Sequence, residues 1–288
     1  MNGCDQPGLM TVEQALERLL AAAQPLSDTE TVSLMQALGR VLAADQQSPV
    51  DVPPADNSAM DGFALRFADC HAGEETTLPI SQHIPAGAVP EPLQPGSAAR
   101  IFTGAEVPPG ADTVVMQEQC RWDDARVTLA ADIKSGTNIR PIGQDIHRGA
   151  TVLVRGHRLK PQDLGLLASI GIAEVPVYRR LKVALLCTGD ELVEPGEPLP
   201  PGHIYNSNRF TLMGQLQALG FDYVDLGRVA DTPEATEQAL RRAATEADCI
   251  ISSGGVSVGD EDHVKGCVEK LGSLDLWRMA IKPGKPLA

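Results

Sequence analysis

The densest run of chemistry-bearing residues is Cys249-Ile250-Ile251-Ser252-Ser253-Gly254-Gly255-Val256-Ser257-Val258-Gly259-Asp260-Glu261-Asp262-His263. Its apolar start, Cys249 to Ile251, reads as a buried strand. Two hydroxyls and two glycines follow, and a helical pattern opens at about His263 and runs to Leu271. A strand, a glycine turn and a helix in that order place a ligand just past the carboxyl end of the strand in an open α/β sheet. Gly254 and Gly255 allow close backbone approach, with N–H groups free to meet an anion. Ser252, Ser253 and Ser257 add donors. Asp260, Glu261 and Asp262 would repel a bare phosphate unless a divalent cation lies between. The local chemistry therefore asks for a phosphate-bearing ligand with Mg²⁺. The spacing matches neither a Walker A loop nor a dinucleotide fingerprint, and the alternative is a glycine-rich turn with a solvated acidic tip.

The elements that would position this turn begin at Leu181. Leu181–Leu186 reads as a strand ending at Cys187-Thr188-Gly189-Asp190-Glu191-Leu192. Asn206-Ser207-Asn208 precedes a helix to Leu219, stopped by Gly220. Phe221–Leu226 is the next strand, with Asp231 just after it, and Pro233 opens a helix to about Glu246. After Cys249–Ile251, Leu276–Ile281 is a further strand, ending in Lys282-Pro283-Gly284-Lys285-Pro286. This alternation predicts a mostly parallel sheet with helices on both faces. Four strand ends then share one edge and offer Asp190 and Glu191, Asp231, Ser252 to Asp262, and Lys282 with Lys285. Acids and lysines on one edge suit an anion plus a cation; the alternative is a set of ordinary solvated loops.

The first half has a different texture. Thr11-Val12-Glu13-Gln14 is a capping box, followed by apolar residues at helical spacing until Pro25. Thr29–Leu34 reads as a short strand, and Met35–Ala43 as a helix weakened by Gly39. Ser48–Pro54 is an extended linker. It leads to Asp56-Asn57-Ser58-Ala59-Met60-Asp61-Gly62-Phe63-Ala64, either a plain turn or a rigid loop holding the Asp61 carboxylate. Strand-like pieces at Thr77–Ile80, Ala99–Thr103, Thr113–Gln117 and Arg126–Leu129, broken by Pro and Gly, suggest an inserted β-barrel-like domain. One of them ends in a glycine turn that exposes Thr103 as a donor. Arg140 and Asp145 are candidate polar contacts or a surface ion pair. Pro161 suits a helix N1 position, Gly171 its C′, and Ala173–Tyr178 a strand. The segment is expected to pack back on the N-terminal helices, giving one discontinuous domain.

Composition narrows the function. The 288 residues, 43% hydrophobic, allow a core and more than one domain. A formal net charge of −14 argues against wrapping nucleic acid or docking on anionic lipid. Aromatics at 3% make single-strand stacking platforms a poor fit. No apolar run is long enough for a membrane span, and residues 1–10 lack the pattern of a secretory signal. The six cysteines are scattered without a C-x-x-C pair, as expected of free thiols in a reducing cytoplasm. The histidines show no metal-ligand spacing.

Five motifs in register resemble one family. Asp56 to Gly62, Thr103-Gly104-Ala105, Thr188-Gly189-Asp190-Glu191-Leu192, Ser252 to Gly259 and Lys282 to Pro286 are similar, in that order, to the molybdopterin molybdenumtransferases, the bacterial MoeA proteins and the gephyrin E domain. The resemblance implies insertion of molybdenum from molybdate into adenylylated molybdopterin, with release of AMP and a requirement for Mg²⁺. It implies a cytoplasmic homodimer, other cofactor-biosynthesis proteins as partners, and no nucleic acid or membrane. It implies a multidomain α/β fold: a discontinuous α+β N-terminal linker and dimerisation domain (residues 8–54 and 141–180), an inserted β domain (55–140), and a doubly wound molybdopterin-binding α/β domain (181–288).

The resemblance also implies a site shared between subunits. Asp61, Thr103 and Asp145 would come from one subunit. Glu191, Asp231, Ser252 to Ser257, Asp262, Arg278 and Lys282 would come from its partner. Asp61, Glu191, Asp231, Asp262 and Lys282 are the catalytic candidates, and the four carboxylates among them are the candidate Mg²⁺ ligands. Thr103, Asp145, Thr188, Ser252, Gly254, Gly255, Ser257, Arg278 and Lys285 are candidate substrate contacts. Arg278 stands where the family has lysine, which keeps the charge but not the geometry. The family pattern also continues past Ala288 through a Leu-Pro-Gly-Asn-Pro loop and a small β domain. The α/β domain is therefore expected to be C-terminally incomplete, with weak substrate binding and no completed metal insertion. Competing readings are an inactive shortened form, a non-catalytic scaffold, and a CinA-type nucleotide hydrolase with the same α/β fold.

Overall fold

The computed structural model describes residues 9–254, 263–273, 277–280 and 286–287. It divides into two units, Thr31–Val177, and Met1–Glu30 with Tyr178–Ala288.

In Thr31–Val177 six strands form one sheet: β1 (Gly62–Leu65), β2 (Thr76–Ile84), β3 (Ala98–Ile101), β4 (Thr113–Met116), β5 (Cys120–Trp122) and β6 (Arg126–Leu129). Their order is β4-β1-β3-β2-β6-β5, antiparallel except for β2 beside β3. Apolar runs without alternation mark strands buried on both faces, and β1 is buried along its whole length. Phe63 and Leu65 enter one core with Leu78, Val115, Val127 and Leu129. Ala64 enters another with Ile84, Ala99, Ile101 and Val114. Two cores on opposite faces of a short sheet are the signature of a curled half-barrel. The sequence pattern anticipated β2, β3, β4 and β6. It did not reveal β1, hidden inside the Asp56–Ala64 cluster, or β5.

A third core joins Val32, Ala37 and Leu42 to Leu159, Leu167, Val175 and Val177. The helix expected over Met35–Ala43 is one turn, α2 (Leu34–Ala37). Leu38 turns extended and Gly39 adopts φ +75°, while Arg40 N–H bonds to the Ala37 carbonyl. Val41 and Leu42 then bridge Arg158 and Val177, which buries Leu42 completely. Pairing with a distant segment outweighs local helical spacing here. α3 (Pro161–Ser169) starts at Pro161 as expected, and Gly171 follows at φ +81°.

In the other unit β7 (Lys182–Thr188), β8 (Asp222–Val229) and β9 (Cys249–Ser253) form a parallel sheet in the order β8-β7-β9. Successive β7 side chains alternate between faces. Val183 and Leu185 pack with Leu216 of α4 (Ser207–Leu219). Leu186 packs with Leu240 of α5 (Pro233–Glu246) and Cys267 of α6 (His263–Leu271). Helices therefore cover both faces, as the alternation predicted.

Two expectations are corrected. Leu276–Ile281 does not add a fourth strand among the described residues: Trp277–Arg278 pairs antiparallel with Pro286–Leu287, and Met279 bridges Met10. Periodicity marks an extended segment but not its partner. Cys249 is exposed, and the rest of β9 is only half-buried, because β9 has one neighbour among the described strands. α1 (Val12–Ala22) has the expected capping box, and it buries only Ala15. Val12, Leu16, Leu19 and Leu20 are exposed.

An ion pair fixes the start of this sheet. Arg179 Nη1 and Nη2 each donate to Asp248 at 2.6 Å, and its Nε donates to Asp28 at 3.1 Å. The Lys182 N–H donates to Asp248 at 2.9 Å. The guanidinium and that N–H hold the Asp248 carboxyl down at about 2. A depressed folded value stabilises the native state fully above the unfolded value and loses that contribution as pH falls through the folded one. Asp248→Asn is therefore expected to lower the urea midpoint at neutral pH. The gap to the native chain should narrow as pH falls from roughly 3.9 towards 2, and a gap that stays constant over that range would refute the linkage.

Candidate functional site

The ends of β7, β8 and β9 converge as the parallel sheet requires. Thr188 ends β7 and is buried. Gly254, at φ +100°, follows β9 so closely that a Cβ there would sit 2.8 Å from the Thr188 carbonyl oxygen. Gly189, at φ +141°, leaves room for the Glu191 carboxylate; a Cβ would lie 2.6 Å from its Oε2. Gly254 is demanded by close approach to backbone as well as by its angle, and Gly189 by its backbone angle. Asp190 and Asp231 tie β7 to β8 reciprocally: each backbone N–H donates to the other's carboxylate, at 3.3 and 3.4 Å.

A cavity of about 180 Å³ opens at these ends, lined by Thr188, Glu191, Leu192, Ser253 and Gly254, and by Ile204 to Asn208. Asn206 caps α4, its Oδ1 accepting from the Arg209 N–H at 3.4 Å. Among the described residues its buried Nδ2 has no oxygen acceptor, with the Cys187 sulfur nearby. Asn208 Nδ2 donates to Ser253 Oγ at 3.0 Å. The N-terminal turn of α4 thus faces the cavity, and a helix N-terminus favours anions. Ligand pockets for drug-sized molecules run to roughly 300–1,000 Å³, so this cavity has room for only one end of a larger ligand.

Asn206, Ser207 and Asn208 were read from sequence only as a helix start. Three polar residues in a row at that start, in a parallel α/β alternation, are the signal that could have found them. Glu191, Thr188 and Gly254 lie where the sequence placed them. Asp231 is held against Asp190, and Ser252 lies in β9 beside Leu186. Arg278 belongs to the Trp277–Arg278 strand. Gly255, Ser257, Asp262, Lys282 and Lys285 lie outside the described residues.

Among the described residues no three His, Cys, Asp or Glu side chains are grouped to hold a metal. Mg²⁺ commonly takes one or two carboxylates plus substrate phosphates and water. Glu191 on the wall of this cavity fits that mode, with the remaining ligands supplied by the substrate.

A second polar cluster lies in Thr31–Val177. Asp61 Oδ1 accepts from both the N–H and the hydroxyl of Thr103, each at 2.8 Å. These two bonds, the backbone one first, hold the Asp61 carboxyl below its ordinary value. Arg140 and Asp145 form an ion pair with each other, both half-exposed.

Residues 10–171 match the family model for the MoeA N-terminal region (domain I and II). Residues 184–288 match that for a probable molybdopterin binding domain. The chain belongs to the MoeA family. The molybdopterin molybdenumtransferase of Haemophilus influenzae is 45% identical over 97% of this chain and 69% of its own length. That of Nostoc sp. is 40% identical over 98% of this chain and 66% of its own. A crystal structure of the molybdopterin biosynthesis MoeA protein of Pyrococcus horikoshii superimposes with a TM-score of 0.82 at 32% identity, covering 96% of this chain and 71% of that one. The chain thus spans about two thirds of the length of these MoeA-family transferases. The family matches place it in molybdenum cofactor biosynthesis, with molybdopterin as the kind of molecule handled.

Proposed function

We propose, against the expectation that the chain stops short of metal insertion, that it catalyses the molybdenum-inserting step itself: molybdenum from molybdate enters adenylylated molybdopterin, the phosphoanhydride is hydrolysed, and AMP leaves. The observation that carries this reading is the cavity at the β7 and β9 ends, which combines hydroxyls, a helix N-terminus and one carboxylate. Thr188, Ser253 and the first turn of α4 would hold the pyrophosphate. Glu191 would seat Mg²⁺ against it, and the cation would offset charge that builds on the bridging oxygen. Lys282 and Lys285 would add positive charge for phosphate and molybdate, with Gly255, Ser257 and Arg278 completing the substrate contacts. Asp231 and Asp262 complete the catalytic carboxylates in this reading.

Asp61, Thr103 and Asp145 would reach the substrate from the second subunit of a homodimer. The exposed apolar row on α1 supports self-association, since four large apolar side chains on one helix call for a cover. A reducing cytoplasm suits the cysteines that stand as free thiols, and no helix among the described residues is long and apolar enough to cross a membrane. Other cofactor-biosynthesis proteins would deliver the adenylate and take up the product.

The test incubates the chain with adenylylated molybdopterin and Mg²⁺, follows AMP before and after molybdate is added, and sizes the same sample by light scattering. AMP release on adding molybdate, from a particle of twice the chain mass, is the expected result. If the chain neither binds the adenylate nor releases AMP while the Haemophilus influenzae relative does both, the reading fails. A monomer that still releases AMP would remove the shared-site part alone.

A further inference from the structure

Arg100 is a charged residue in an otherwise apolar strand. It is buried, 8% exposed, in the middle of β3. Burying a guanidinium is costly unless it is well partnered, and a packed apolar side chain in its place often does as well or better for stability. Among the described residues its hydrogen bonds go to neutral groups. Nη1 donates to the Gly62 carbonyl at 3.1 Å, and Nη2 donates to Gln117 Oε1 at 2.5 Å. Three rings surround it: Phe63 and Phe102, each with its centroid 4.9 Å from the guanidinium carbon, and Trp122 at 5.3 Å. Stacking on aromatic faces fixes the plane of a guanidinium. Among the described residues no ion pair accounts for the charge, which reaches Asp61 only as the smallest of the influences on its carboxyl.

What the fork grips explains it. Gly62 directly follows Asp61. The backbone N–H of Gln117 donates to the Asp61 carbonyl at 3.0 Å, and the Gln117 side chain is held by Arg100. The peptide carbonyls of Asp61 and Gly62 are thus fixed by one unit made of Arg100 and Gln117. Thr103, three residues along from Arg100, supplies both hydrogen bonds to Asp61 Oδ1, so among the described residues Oδ2 stays open to a ligand. Arg100 therefore sits between the segment that carries Asp61 and the segment that orients its carboxylate.

We propose that Arg100 is a positioning residue for Asp61, fixing the Asp61–Gly62 backbone against Thr103 so that the free carboxylate oxygen faces the substrate. The proposal rests on the reading of Asp61 as a functional carboxylate. The ring cage and the two-point fork make the role specific to arginine, because a lysine ammonium cannot hold a carbonyl and an amide in one plane.

The test is solvent exchange of the Thr103 backbone amide, followed by ¹H–¹⁵N NMR, in the native chain and in Arg100→Met, Arg100→Lys and Gln117→Leu. Thermal melts establish that each variant is folded at the measuring temperature. The Thr103 N–H donates to Asp61 Oδ1 at 2.8 Å, so releasing the Asp61–Gly62 backbone speeds exchange of that N–H in Arg100→Met. Arg100→Lys is expected to behave like Arg100→Met, and Gln117→Leu to shift in the same direction. AMP release should fall about ten- to a hundredfold, in line with misplacement of a group near the chemistry.

An unchanged Thr103 exchange rate in folded Arg100→Met overturns the proposal. If Arg100→Met does not fold, Gln117→Leu, which leaves the cage intact, decides by the same criterion. A native rate of AMP release in Asp61→Asn removes the functional reading of Asp61, while the Thr103 exchange still judges the role of Arg100.

Discussion

Gly62→Ala is expected to be among the most destabilising single substitutions in residues 31–177, costing more than about 3 kcal/mol, beyond the usual range for overpacking. A Cβ on Gly62 would lie 2.0 Å from the Val115 carbonyl oxygen and 2.9 Å from its carbon. The obstacle is backbone, and that backbone belongs to β4, which pairs with β1 at Gly62↔Met116 and Phe63↔Val115. Relief requires β1 and β4 to separate. That movement also breaks their ladder and disturbs the packing of Phe63 and Leu65. Whole domains are stable by only about 5–15 kcal/mol, so the loss is a large share. Gly104→Ala is the control. Gly104 has φ +82° but nothing within 4 Å of an added Cβ. It should cost only the left-handed backbone penalty, about 1–2 kcal/mol. Urea midpoints of the two variants test the contrast. Equal midpoints would mean that the sheet yields at Gly62 without loss. The glycine of the Asp56–Gly62 motif is thus there for the sheet, while the aspartate beside it is the one proposed for the chemistry.

That division shows what the sequence disclosed and what it withheld. Local signals read well where one residue does one job. Asn206 and Gly220 bracket α4, Pro233 opens α5, and Pro161 opens α3, because caps and prolines act over a few residues. The strand ends with Thr188, Glu191 and Gly254 were legible for the same reason, since parallel alternation forces them onto one edge. Pairing was not legible. Leu42 leaves its helical pattern to bridge Val177, and Met279 bridges Met10. In each case the deciding partner is remote in sequence. The polar residues that were missed, Arg100 and Asn206, were hidden by their surroundings. An arginine within an apolar strand and an asparagine at a helix cap both have ordinary local explanations. Only burial separates them from those, at 8% and 2% exposure.

Glu191→Gln is expected to lower molybdate-dependent AMP release by about a hundredfold or more, the scale of a lost acid, base or metal-seating group. Its effect on binding should depend on Mg²⁺ in a way that identifies the role. The cavity wall offers the phosphate a helix N-terminus and hydroxyls, which attract, and one carboxylate, which repels. Two unit charges about 4 Å apart near a protein surface interact by about 4 kcal/mol, enough to outweigh several neutral hydrogen bonds at about 1 kcal/mol each. Without Mg²⁺, neutralising Glu191 should therefore leave adenylate binding unchanged or make it tighter. With Mg²⁺ the native carboxylate becomes an attraction through the cation, so the variant should bind more weakly than the native chain. Calorimetry of adenylylated molybdopterin at zero and saturating Mg²⁺ reads both signs. A variant weaker by the same factor in both conditions would make Glu191 a shape element of the cavity, and one that releases AMP at the native rate would take it out of the chemistry. The seat itself argues for the electrostatic role. Gly189 turns at φ +141°, and the Glu191 carboxylate lies against it. A loop that turns on a glycine and sets one carboxylate on the cavity wall is arranged around the charge.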